Sequence, residues 1–233
     1  MRAALLALGA MVPVAAAGAT LEPSRTPLDP ALSRDGWQLH GVAGRMTATF
    51  IAQPDGTIAV AAERAVAFLV RPLSDAERSG GGPSLRWRWR VDAAPPPTDL
   101  ARTDGDDRPL AVHVIFPAPR GEGWFARLRH SLVAAAAGDL FAGRVLSYVW
   151  GGTAASGARL PNPYLPGDAV LIVRRGTGAP LGVWLDETVD VAADYRTAFG
   201  APPHEPPTAI SSDTDDRGGT ARAQITPPRI GTP

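Results

Sequence analysis

The sequence predicts an all-β protein, a two-sheet β-sandwich of jelly-roll type with one or two short surface helices. Three observations predict it. Leu85 to Val91 reads Leu-Arg-Trp-Arg-Trp-Arg-Val, strictly alternating large apolar side chains with arginines. A strand sends successive side chains to opposite faces, so Leu85, Trp87, Trp89 and Val91 share one side and Arg86, Arg88 and Arg90 the other. A helix would scatter the same residues around its circumference. Next, about ten short apolar runs recur between turn residues, the rhythm of sandwich strands. Finally, a chain of 233 residues without cysteine is long enough to bury a core that needs no disulfide staples.

Taken in order, residues 1–19 have the pattern of an export signal. Arg2 gives a positive start, Ala3 to Ala17 an apolar stretch, and Ala17-Gly18-Ala19 a small-x-small cleavage site. A membrane anchor is the competing reading. The stretch is shorter than the roughly 20 residues that span a bilayer, and Pro13 interrupts it. The expectation is a periplasmic or secreted protein with no stable membrane insertion once the signal is cleaved.

Thr20 to Arg34 contains three prolines and little apolar periodicity, so it reads as an extended leader. Residues 35–225 read as one sandwich domain. Its predicted strands are Trp37–His40, Met46–Ala52, Thr57–Ala62, Ala65–Val70, Leu85–Val91, Leu110–Phe116, Val145–Trp150, Ala169–Arg174, Val183–Val189, Ala209–Ser212 and Ala221–Ile225. Gln53-Pro54-Asp55-Gly56 is a hairpin turn between two of them. Apolar residues from Trp124 to Ala142 recur at helical spacing, and a second short helix covers Val191 to Phe199. The segment 226–233, with Pro227, Pro228 and Pro233, reads as a disordered tail.

Composition removes several functions. Without cysteine there is no zinc–thiolate site and no thiol nucleophile. Arginine supplies every basic residue, and 23 cations balance 23 carboxylates, which argues against the strongly basic field that nucleic acid demands. No Gly-x-Ser-x-Gly elbow accompanies the serines. Gly80-Gly81-Gly82 lacks the Lys-Ser/Thr of a phosphate loop. His40, His113, His130 and His204 show no metal-ligand spacing.

Several pieces share an order that resembles the secreted bacterial family called domain of unknown function 3047. They are Trp87-Arg88-Trp89-Arg90-Val91, Asp106-Asp107 leading into Ala111 to Phe116, and Leu146 to Gly151. Leu160-Pro161-Asn162-Pro163, Leu181-Gly182-Val183-Trp184, Asp190 to Gly200 and Asp213-Thr214-Asp215 follow. Asp216 and Gln224 depart from that pattern, which favours an asparagine and an aromatic there. The resemblance implies an exported β-sandwich and no catalytic residue.

The residues themselves offer three constellations. The comb of Arg86, Arg88 and Arg90, spaced about 6.8 Å apart along a strand, suits capture of carboxylates or phosphates on an acidic glycan. Asp186 and Asp190 on a neighbouring strand would instead neutralise it. Tyr148, Trp150, Tyr164 and Trp124 are candidate sugar-stacking rings, with burial in the core as the alternative.

Glu187 falls in the apolar row of its own strand. It is therefore either a general acid, working with Asp190, Asp106 or Asp107 as in a glycoside hydrolase or lyase, or the partner of an inward arginine. Asp106, Asp107, Asp213 and Asp215 lie in two loops whose oxygens would suit calcium, although turn-forming aspartates look the same. The expected function is non-catalytic binding of a glycan or cell-envelope ligand. A paired-carboxylate enzyme and a structural envelope protein are the alternatives.

Overall fold

The computed structural model describes residues 21–74, 77, 84–117, 143–200 and 219–231, and the backbone of 209–214. The segment 1–19 read as an export signal, the glycine run 80–82 and the helix expected over Trp124 to Ala142 lie outside these residues. The strands are β1 (Leu21–Pro23), β2 (Gln38–Val42), β3 (Thr49–Ala52), β4 (Ile58–Glu63), β5 (Ala67–Pro72), β6 (Ser84–Ala93) and β7 (Leu110–Phe116). They continue with β8 (Arg144–Trp150), β9 (Arg159–Pro161), β10 (Ala169–Arg175), β11 (Leu185–Asp190), β12 (Ala209–Thr214), β13 (Thr220–Ile225) and β14 (Arg229–Gly231). Two helices, α1 (Pro30–Arg34) and α2 (Val191–Phe199), accompany them.

Two sheets form a sandwich. The larger has the order β1-β2-β5-β12-β7-β8-β10-β9, and the smaller β11-β6-β13-β4-β3 with β14 also pairing on β6. Pairing between these strands is antiparallel except between β8 and β10. The Gln53–Gly56 turn closes as expected, with Gly56 at φ 80° and Gln53 N donating to Thr57 O at 2.8 Å. A side chain there would strain that backbone.

The core follows from alternation. Leu85, Trp87, Trp89 and Val91 of β6 are buried, and Trp89 is 0 % exposed. Trp87 and Trp89 meet edge to face at 5.3 Å, Trp89 meets Trp150 at 5.6 Å, and Trp87 lies 5.5 Å from Tyr148. Strand β6 of the small sheet is thus locked to β8 of the large one. Each buried indole contributes about 4–6 kcal/mol of gross hydrophobic stabilisation.

The outer side of the large sheet is also buried. Leu100 packs with Ala111, Val149, Leu171 and Val173, and Leu165 with Val70, Ile115, Val145 and Ala169. Among the described residues, the outer face of the small sheet is the more open one. It carries the arginines.

The ends of the domain are more ordered than their prolines suggested. In the expected leader, β1 pairs with β2, and Pro30 opens α1 behind Asp29, whose Oδ1 accepts from Ala31 N at 2.8 Å. Proline at the first helical turn loses no hydrogen bond, because that N–H has no partner within the helix. Leu32 is then buried in the core. In the expected tail, Thr226 clears the prolines by pinning β6: its N–H donates to Arg88 O, and its Oγ1 accepts from Arg88 N, both at 2.9 Å. Residues 229–231 then add β14 to β6.

Candidate ligand-binding face

Three neighbours lay out the outer face of the small sheet around β6. On one side β11 places Asp186 opposite Arg88 and Thr188 opposite Arg86. On the other, β13 places Gln224 opposite Arg90, and β14 places Arg229 opposite Arg86. Residues directly opposite in an antiparallel pair share a face. The three-arginine comb is therefore a wider patch with a fourth arginine.

Two of the four are neutralised within the chain. Arg88 pairs with Asp186 at 2.8 Å and Arg90 with Asp92 at 2.9 Å. Both guanidiniums also lie over the Trp184 ring, at 5.5 and 5.6 Å. Arg86 and Arg229 have no carboxylate partner among the described residues. An open hollow of about 510 Å³ lies beside them, lined by Asp55, Arg86, Arg88, Asp186, Thr188 and Arg229, among others. Asp190, considered above as a partner for the comb, instead caps α2 by accepting from Ala193 N at 2.8 Å.

Glu187 is on the opposite side of β11, inside the sandwich, with its side chain 1 % exposed. Its Oε1 accepts from Trp89 Nε1 at 3.1 Å and Arg175 Nε at 2.6 Å, and its Oε2 from Arg174 Nε at 3.0 Å. Consecutive residues of a regular strand would point to opposite faces. A register shift between Val173 and Arg175 lets both arginines reach one carboxylate. Nearby, Asp194 of α2 accepts from Tyr148 Oη at 2.9 Å and is paired with Arg159 of β9. Burial, reinforced by the Asp194 charge, pushes the Tyr148 phenol well above its usual range, so it stays a donor. These pairs fasten β11 and α2 to β9 and β10 along one edge of the sandwich.

The remaining predicted site residues are dispersed. Tyr148 and Trp150 are core residues, because alternation in β8 turns them toward β6, and neither presents a ring to a ligand. Tyr164 is exposed, but its hydroxyl braces the loop before β7, donating toward Thr103 O at 2.9 Å and Asp106 Oδ1 at 3.3 Å. In that loop Arg108 reaches Asp106 at 3.6 Å, and Asp107 is buried. Among the described residues no hydrogen bond or ion pair joins Asp106, Asp107 or Asp190 to Glu187.

For calcium, the register of β12 against β7 sets the Asp213 backbone opposite Ala111, close to the loop that carries Asp106 and Asp107. The Asp213 side chain and Asp215 lie outside the described residues. No three His, Asp or Glu side chains converge as a metal cage among those described. No described helix is long and apolar enough to cross a membrane.

Trp184 and Arg229 belong to the face and were not among the predicted site residues. Trp184 lies two and four residues before Asp186 and Thr188, a period-two spacing that was a usable signal for the first. Arg229 gave none, since two prolines precede it.

Fold and face together define a β-sandwich with a cationic, partly aromatic outer surface on its smaller sheet. The chain belongs to the family described as protein of unknown function DUF3047, whose model matches residues 35–227. No curated protein matches it. Among solved structures it is similar to the xyloglucanase domain of NopAA, a type three effector from Sinorhizobium fredii, in complex with cellobiose. That match has 8 % identity over 86 % of this chain and 95 % of the other, with a TM-score of 0.47. A family 12 xyloglucanase from Bacillus licheniformis matches at 8 % identity over 84 % of this chain and 86 % of that one, with a TM-score of 0.43. The endo-1,4-β-glucanase CelB2 matches at 11 % identity over 91 % of this chain and all (100 %) of that one, with a TM-score of 0.48.

Proposed function

We propose that this protein is an exported, non-catalytic binding module for a glycan or cell-envelope ligand, held on the outer face of its smaller sheet. The observation that carries the reading is the open hollow, where Arg86, Arg88, Asp186, Thr188 and Arg229 present donors and acceptors side by side. Half-buried Trp184, its ring against the Arg88 and Arg90 guanidiniums, adds aromatic area at the edge of the same face, next to exposed Leu181 and Val183. Sugar recognition calls for this combination: aromatic area for the ring, and planar or hydroxyl groups for its oxygens. Export is supported by the N-terminal apolar stretch with its small-residue cleavage pattern.

Binding is favoured over glycoside cleavage by the state of Glu187. Hydrolysis needs two carboxyl groups facing one open cleft. Both Glu187 oxygens are occupied by arginines and an indole inside the sandwich.

The test is calorimetric titration of the mature chain with neutral and acidic oligosaccharides, with and without calcium. The expected result is saturable binding without release of reducing ends, weakened at least tenfold by Trp184→Ala. Absence of binding across the panel, or binding indifferent to that substitution, would contradict the proposal.

A further inference from the structure

Arg86 and Arg229 stand directly opposite each other on β6 and β14, and both line the hollow. Like charges opposed on one sheet face destabilise the sheet. The neighbouring arginines avoid this, since Asp186 meets Arg88 and Asp92 meets Arg90. Asp55 reaches the same hollow, but its carboxylate is turned to its own loop, accepting from Thr57 N at 3.0 Å and Thr57 Oγ1 at 2.6 Å. Neither Arg86 nor Arg229 has a charge partner among the described residues. Among the described residues, these two adjacent cations thus stand unneutralised beside an open hollow.

We infer that Arg86 and Arg229 form a receptor for one oxyanion, which on the glycan-binding reading above, and resting on it, is the carboxylate of an acidic saccharide. Cross-strand partners set their Cβ atoms about 5 Å apart, close enough for two guanidiniums to converge on one group. Each guanidinium is a planar fork of donors matched to carboxylate or phosphate oxygens. Thr188, across the strand from Arg86, puts a hydroxyl beside them for a neighbouring sugar oxygen.

The experiment titrates the mature chain and its Arg86→Gln and Arg229→Gln variants with trigalacturonate, a neutral trisaccharide and inorganic phosphate. The wild type binds trigalacturonate, each substitution weakens it at least tenfold, and phosphate competes for the same site. Without anion, the thermal midpoint of Arg229→Gln equals or exceeds that of the wild type, because repulsion is relieved; this reports an intact fold. Equal trigalacturonate affinity in all three proteins would overturn the oxyanion site, and neutral-saccharide binding surviving in the same proteins would leave the glycan reading standing. Phosphate binding lost in both variants, with no saccharide bound by any protein, would uphold the oxyanion site and overturn the glycan reading.

Discussion

Glu187 shows how one side chain decides between chemistry and architecture. An ionised carboxylate in an apolar row is expensive unless its lone pairs are met. Here two guanidiniums and an indole N–H meet them. Glu187→Gln keeps the size but strands Arg174 and Arg175, which are each about one-third exposed and so partly rescued by water. The expected loss is about 2–3 kcal/mol in denaturant unfolding, somewhat below the usual figure for breaking a buried pair. A loss under about 0.5 kcal/mol would show that the network is not structural.

A second residue-scale prediction concerns Glu77, held at about 2 by the Arg71 guanidinium, with further hydrogen bonds from Ser74. The folded value lies below the ordinary one, so the contribution is complete above pH of about 4.5 and is lost as pH falls toward about 2. Glu77→Gln should therefore be less stable by about 1 kcal/mol at neutral pH. The two stability curves should converge near the acid end. Parallel curves would contradict the pairing.

At the scale of elements, period-two patterning made β2 to β8, β10, β11 and β13 legible, since each buries one row or both. The short strands β1, β9 and β14 were not legible, because three residues are too few to show a period, and the partner of β14 also lies far away in sequence. Proline also hid structure: Pro30 starts α1 where it was read as breaking structure, and Thr226 restores the ladder before two more prolines. The double arginine of β10 was hidden by its bulge, since regular alternation would send Arg174 and Arg175 apart.

Helix α2 could be read to its last residue because both ends carry signals. Asp190 caps the start, and Gly200, at φ 74°, receives the chain in the left-handed region. Asp190→Ala and Gly200→Ala should each lower stability by about 1 kcal/mol in thermal or denaturant unfolding. Unchanged stability in both would mean that α2 contributes little to closing the edge.

For the whole molecule, the division of labour between the sheets follows from what covers them. The large sheet is packed on both faces, its outer side under loops bearing Leu100 and Leu165. The polar groups there, His113 Nδ1 and Ser147 Oγ at 2.8 Å, are buried and share a hydrogen bond. The small sheet buries tryptophans on one side and exposes arginines on the other. Of the candidate site, the sequence revealed the comb and its sidedness. It concealed Arg229 and the inward commitment of Tyr148, Trp150 and Glu187, because those depend on which strands become neighbours.

The most direct test of the account is to map backbone and arginine Nε–Hε chemical shifts of the wild-type chain while adding an acidic oligosaccharide. The predicted result is a contiguous set of shifts on β6, β11 and β14, centred on Arg86, Arg88, Trp184 and Arg229 and diminished by added salt. Shifts centred instead on His113 and Ser147, or on the loop of Asp106 and Tyr164, would contradict it.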